Sequence, residues 1–145
     1  MYHPFPTVRT VAVTIELYWL TLTVLMTALF WVPYILDRLA VRGIWPALSD
    51  TQPEEGGPHS LWAKRAIKAH QNGIENLAIM VPAVLTAHVL NISTPATRTA
   101  IVVYFFARLI HFFVYLGGVP VARTLAFAIG WGSQMVFLLS ILRWI

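Results

Sequence analysis

Two sets of polar residues stand at helical spacing in an otherwise apolar chain. Arg65, Lys68, Asn72 and Glu75 are three, four and three positions apart, which stacks them on one face of a single helix. Arg108, His111 and Tyr115 follow the same rule further along. An arginine inside a membrane span costs about 2.5–3.5 kcal/mol on insertion scales, and such residues mark function or pairing. Arg123 follows soon after the second set. A carboxylate, an amide, a phenol and several cations suit a zwitterionic small molecule with more than one charge. The cations would hold its carboxylates and Glu75 its amine.

Each residue also has a plainer reading. Glu75 and Arg108 would serve as a structural ion pair locking one helix to the next. His111 alone is an ordinary interior histidine. Tyr115 suits the aromatic belt at a membrane interface. Lys64, Arg65 and Lys68 would meet lipid headgroups, and Arg123 would be an anchor that snorkels. His3, His59, His70 and His88 lack the spacing of a His-Glu-x-x-His metal motif, so no metal is expected.

The elements that must position these residues follow from composition. Of 145 residues, 58% are hydrophobic and 11% charged, and the mean hydropathy is +0.69. Soluble domains carry about 25% charged residues. An integral membrane protein is therefore expected, and disorder is excluded. There is no cysteine, hence no disulfide, thiolate metal site or cysteine nucleophile. Net charge is +4, but the ten Lys and Arg are thinly spread. They fit membrane topology rather than a nucleic-acid partner.

Four stretches are long and apolar enough to span: about 11–36, 74–90, 99–117 and 124–142. They form one domain over 1–145, an all-α bundle of four transmembrane helices. A polar helical lead-in from Leu61 precedes the second. Residues 45–58 read as loop, with Pro46, Pro53, Pro58, Gly56 and Gly57. The chain turns at 91–95, where Ser93 or Thr94 caps the third helix and Pro95 opens it. It turns again at 117–120. Arg38, Arg42, Lys64, Arg65, Lys68 and Arg123 lie on one side, and Arg9, Arg98 and Arg143 on the other. This bias puts both termini on the non-cytoplasmic side of a multi-pass protein. It also brings Arg65 to Glu75, Tyr115 and Arg123 to one membrane level.

The run Arg65-Ala66-Ile67-Lys68-Ala69-His70-Gln71-Asn72-Gly73-Ile74-Glu75-Asn76 resembles the helix-two signature of the MAPEG family, the membrane-associated proteins in eicosanoid and glutathione metabolism. The stretch from Arg108 through His111 to Tyr115 resembles the helix-three signature, and Arg123-Thr124-Leu125-Ala126-Phe127 the arginine-led opening of helix four. The resemblance covers essentially the whole chain and looks closest to the short bacterial branch. It implies a homotrimer in a bacterial inner membrane, with glutathione as co-substrate between neighbouring subunits. By resemblance, Arg65, Lys68, Asn72, Glu75, Arg108, His111 and Tyr115 bind glutathione, and Arg38 is a further contact. Arg123 matches the arginine that activates the thiol, with Thr124 a candidate hydroxyl donor beside the sulfur. Gln71 and Lys68 stand where some eicosanoid-making members have arginine, and Phe127 where some have tyrosine. These departures favour a broader glutathione S-transferase or peroxidase, acting on lipophilic electrophiles or hydroperoxides, over a leukotriene or prostaglandin synthase. The alternative is a non-catalytic scaffold or accessory subunit whose polar cluster only fixes packing. A transporter is disfavoured, because repeat symmetry and paired broken helices are missing.

Overall fold

The computed structural model describes residues 13–49 and 60–145, and all its regular structure is helical. Six helices run in the order α1 (Ile15–Leu29), α2 (Val32–Arg42), α3 (Ile44–Ser49), α4 (Leu61–Val89), α5 (Pro95–Gly117) and α6 (Pro120–Ile141). The Thr14 hydroxyl caps α1 by accepting from the Leu17 N–H at 3.3 Å. Thr21, Thr23 and Thr27 donate their hydroxyls to carbonyls four residues back, at 2.8–2.9 Å. A hydroxyl satisfied this way can sit in lipid.

The first expected span is broken. α1 ends at Phe30 and α2 begins beyond Trp31, with Pro33 in its first turn. Proline has no N–H to give the carbonyl four residues earlier, so the ladder is interrupted there. The expected loop over 45–58 is also corrected. Its first part is the short helix α3, which tolerates Pro46 because first-turn N–H groups have no helical partner; residues 50–58 lie outside the described residues.

The polar lead-in and the second expected span form one continuous 29-residue helix, α4, with Pro82 inside it. Asp37, buried on α2, accepts from the Ser60 N–H at 3.0 Å and so ties the start of α4 to α2. Asn91, at φ 55°, turns the chain after α4. Thr94 then caps α5 in a reciprocal box with Thr97 (2.9 and 3.2 Å), and Pro95 follows as expected. Gly118, at φ 71°, closes α5, and Pro120 opens α6.

α5 is the hub, packing on α6, α4 and α1. One core cluster joins Leu20, Met80, Val84, Ile101, Tyr104 and Phe137. A second stacks Phe30 on Phe112, centroids 3.8 Å apart, above Ala66 and Ala69. Outside, large apolar side chains such as Leu25, Leu85, Phe113, Leu125 and Ile129 stand exposed, as a lipid-facing surface requires. Three helical segments are long and apolar enough to cross a membrane: Ile15–Arg42, Pro95–Gly117 and Pro120–Ile141. α4 is not among them, because its N-terminal half carries the polar signature.

Candidate functional site

On α4 the buried stripe is Ala66, Ala69, Gly73, Asn76 and Met80. Arg65, Lys68 and Asn72 lie on its flank, at about 100° of helical turn per residue. They thus face the seam where the ends of α5 and α6 meet α4. Two adjoining cavities occupy this seam. One, of about 290 Å³, is lined by Arg65, Lys68, Tyr115, Arg123 and the Gly118–Pro120 turn. The other, of about 220 Å³, is lined by Lys68, Asn72, His111, Tyr115, Arg123, Thr124 and Phe127. Lys68, Tyr115 and Arg123 belong to both.

The cations are held in specific poses. Arg65 donates from Nη1 to the Leu116 carbonyl at 3.2 Å. Its guanidinium fills the space beside Gly118, where a Cβ would come within 2.6 Å of Nη1. The Arg123 Cζ lies 4.7 Å from the Tyr115 ring centroid. That cation–π contact turns the side chain inward over the cleft rather than outward along the membrane surface. His111 meets the edge of the same ring, with centroids 5.5 Å apart. No carboxylate among the described residues lines either cavity.

Behind the cleft runs a buried polar chain. The Gln134 amide on α6 donates to the Asn76 carbonyl at 2.9 Å, and Asn76 donates to the Asn72 carbonyl at 2.8 Å. Arg108 donates from Nη2 to Asn72 Oδ1 at 2.8 Å and lies 3.4 Å from His111 Nδ1. A guanidinium only donates, so the Asn72 oxygen must face Arg108. The Asn72 amide nitrogen is therefore the end free for a ligand. Gln134 and Asn76 went unread in the sequence. Their only signal was being uncharged amides in apolar helices.

Of the expected site residues, Arg65, Lys68, Asn72, His111, Tyr115 and Arg123 come together, with Arg108 one layer behind. Two stand apart. Glu75 is exposed, about 140° round α4 from the middle of the buried stripe, and lines neither cavity. The Glu75–Arg108 ion pair is corrected: Arg108 bonds to Asn72 instead, and no such pair forms among the described residues. Arg38 is half-buried on α2, away from both cavities. Thr124 lines the cleft, but its hydroxyl donates to the Pro120 carbonyl at 3.1 Å. No cluster of metal-ligating side chains occurs among the described residues.

Outside the apolar segments, burial of His70 pushes its pKa below the ordinary imidazole value. Its Nδ1 lies 3.0 Å from the Tyr34 hydroxyl, tying α4 to α2.

A model of the MAPEG family matches residues 17–143. The chain belongs to the MAPEG family. The match takes in α4, α5 and α6 and every residue lining the cleft. Its apolar helices and MAPEG membership make this an integral membrane protein of the glutathione and eicosanoid metabolism family. No curated protein and no solved structure matches the chain significantly.

Proposed function

We propose that this MAPEG protein is a membrane-bound, glutathione-dependent transferase or peroxidase acting on lipophilic electrophiles or hydroperoxides. The observation that carries the reading is the joined cleft, walled by Arg65, Lys68 and Arg123, with no carboxylate among the described residues that line it. Glutathione brings two carboxylates and a sulfur that works as an anion, so its charges complement this wall. The Asn72 amide nitrogen adds a donor.

Arg123 is the activating group in this reading. A free thiol has a pKa of about 8.5, and a cation within about 4–6 Å favours the ionised form of an acid by about 1–3 units. Arginine does this at any working pH because it never loses its charge. The thiol proton leaves to water. The thiolate then forms a carbon–sulfur bond as the leaving group departs with its electron pair. With a hydroperoxide, the sulfur takes the terminal oxygen, the oxygen–oxygen bond breaks, and the alkoxide takes a proton. A second thiol then condenses with the sulfenic acid, giving a disulfide and water.

Three further parts belong to the proposal. The apolar half of α4 is the fourth span, because Met80 and Val84 pack against Ile101 and Tyr104 of the spanning α5 and so share its depth. The protein works as a homotrimer. Glu75, turned outward in one chain, then reaches the ligand's amine in the cleft of a neighbouring copy. The cleft faces the cytoplasm of a bacterial inner membrane, with both termini on the other side.

The test is a titration of the detergent-solubilised protein with glutathione near neutral pH, following binding and ultraviolet thiolate absorbance. Wild type binds and shows the thiolate. Arg123→Ala still binds but loses the signal, and Glu75→Gln binds poorly. A wild type that neither binds nor ionises the thiol supports a second reading, a non-catalytic scaffold or complex subunit. That reading draws on the Gln134–Asn76–Asn72–Arg108 chain, which ties α6, α4 and α5 together through buried hydrogen bonds, with Arg108 Nε and Nη1 left without an acceptor among the described residues.

A further inference from the structure

At the opposite end of α4 lies another cavity, of about 150 Å³, room for about five waters by their share of liquid volume. Its polar wall is Thr14, Glu16, His88, Asn91 and Ser93. Glu16 is only 4% exposed. Its Oε1 accepts from the Ser93 hydroxyl at 2.8 Å and the Thr97 hydroxyl at 2.9 Å. Its Oε2 is shielded from water and has no donor among the described residues. A buried carboxylate oxygen without a donor is unfavourable, more so than a neutral group in the same position.

The surroundings define what would complete it. No lysine or arginine among the described residues lines the cavity. α4 ends here, so the negative end of its dipole adds to the carboxylate. Glu16 and His88 are too few ligands for a metal cage, and no metal-ligating cluster occurs among the described residues. A cation that carries its own N–H donors fits better. Glu16 supplies the charge, and the Asn91 oxygen and the hydroxyls supply further acceptors. The cavity sits where α1 begins, α4 ends and α5 begins, at one end of the candidate spans Ile15–Arg42 and Pro95–Gly117, which is where headgroups meet a helix that crosses a bilayer. Exposed Arg98 donates from Nε to the Thr94 carbonyl at 3.3 Å, which holds a guanidinium near the same turn, as a phosphate would require.

We propose that this cavity binds a primary ammonium, carried by an ethanolamine phospholipid headgroup or by a free small amine. The inference is independent of the thiol cleft, and its test uses no glutathione. The full-length protein is delipidated in detergent and offered equal amounts of dioleoyl phosphatidylethanolamine and dioleoyl phosphatidylcholine, with retained lipid counted by native mass spectrometry. The choline headgroup has the same charge but no N–H. The ethanolamine lipid should be retained about tenfold or more over the choline lipid, the worth of one hydrogen bond to a charged group. Glu16→Gln should remove the preference. His88→Phe, which fills the cavity and leaves the Ser93 and Thr97 bonds in place, should remove it too, and decides the matter if Glu16→Gln fails to fold. Free ethanolamine at millimolar concentration separates the two sources. Displacement of the lipid supports an ammonium-only site, whereas persistence of the lipid together with loss in Arg98→Ala supports the whole headgroup. Equal retention of the two lipids, or a preference that survives both cavity variants, overturns the proposal.

Discussion

The two ends of α4 are chemical opposites. Around its first turns, cations line an open cleft and no carboxylate among the described residues faces them. Around its last turn, the Glu16 carboxylate accepts from two hydroxyls, and no lysine or arginine among the described residues lines the cavity. The difference lies in how the charges are held. Arg65 and Arg123 each have one modest internal contact, to a carbonyl and to a ring, and keep most of their donors for something else. Glu16 is engaged by two hydroxyls from the α4–α5 turn and the start of α5, so it also clamps α1 to α5. The first end leaves its charges open, while the second ties one oxygen of its carboxylate into the chain's own packing and leaves the other without a donor among the described residues.

The sharpest way to break this contrast is to remove the charge at each end. Arg123→Ala should cost about ten- to a thousandfold in thiolate formation, the equivalent of 1–3 pKa units, with little change in thermal unfolding. Glu16→Ala should do the reverse. It strips the Ser93 hydroxyl of its acceptor and leaves the Thr97 hydroxyl only the Thr94 carbonyl, and should lower stability by about 2 kcal/mol, read from unfolding in detergent, while thiol binding persists. If Glu16→Ala weakened the thiol site as much as the fold, the two ends would not be separable.

Smaller changes sharpen the picture. Gly118→Ala combines both effects at the cleft. A Cβ at φ 71° costs about 1–2 kcal/mol, and it would also push the Arg65 guanidinium out of place. Glutathione affinity should fall along with the melting temperature. Thr94→Ala removes the α5 cap at the clamped end and should cost about 1 kcal/mol without touching the ligand. The smallest effect concerns pH. Burial lowers the His70 pKa in the folded chain, so the unfolded chain binds the proton more readily. Stability should therefore be full above the ordinary imidazole pKa of 6.5 and decline as pH falls below it. His70→Gln should flatten that slope in a series of melting curves.

Much of this was readable from local spacing. The Thr94 cap and the Pro95 start depend on neighbours in sequence, and they stand where the residues put them, whereas Pro120, read as part of a turn, opens α6 four residues before the expected span. The cleft residues were also legible, because a three-four spacing leaves little choice about which helix face they share. Glu75 escaped that logic. At about 100° per residue it shares the side of Lys68 to within about 20°, but it lies two turns further along α4, past the stretch that lines the cleft. The break after Leu29 hid behind unbroken hydropathy, although Pro33 was there to signal it. Gln134 and Asn76 meet across 58 positions, and only the pairing of α4 with α6 brings them together. Glu16 likewise reaches Thr97 across 81 positions, a contact no local pattern announces.

α4 is 29 residues long, about 43 Å, whereas the oily layer of a bilayer is about 30 Å thick. A helix of that length that crosses the layer must rise clear of it by roughly two turns, and Arg65 and Lys68 lie on the part that emerges. Their groove is then a border post between two phases. Under the proposed function, a water-borne peptide enters from one side and a greasy molecule from the other, and neither has to leave the medium in which it dissolves.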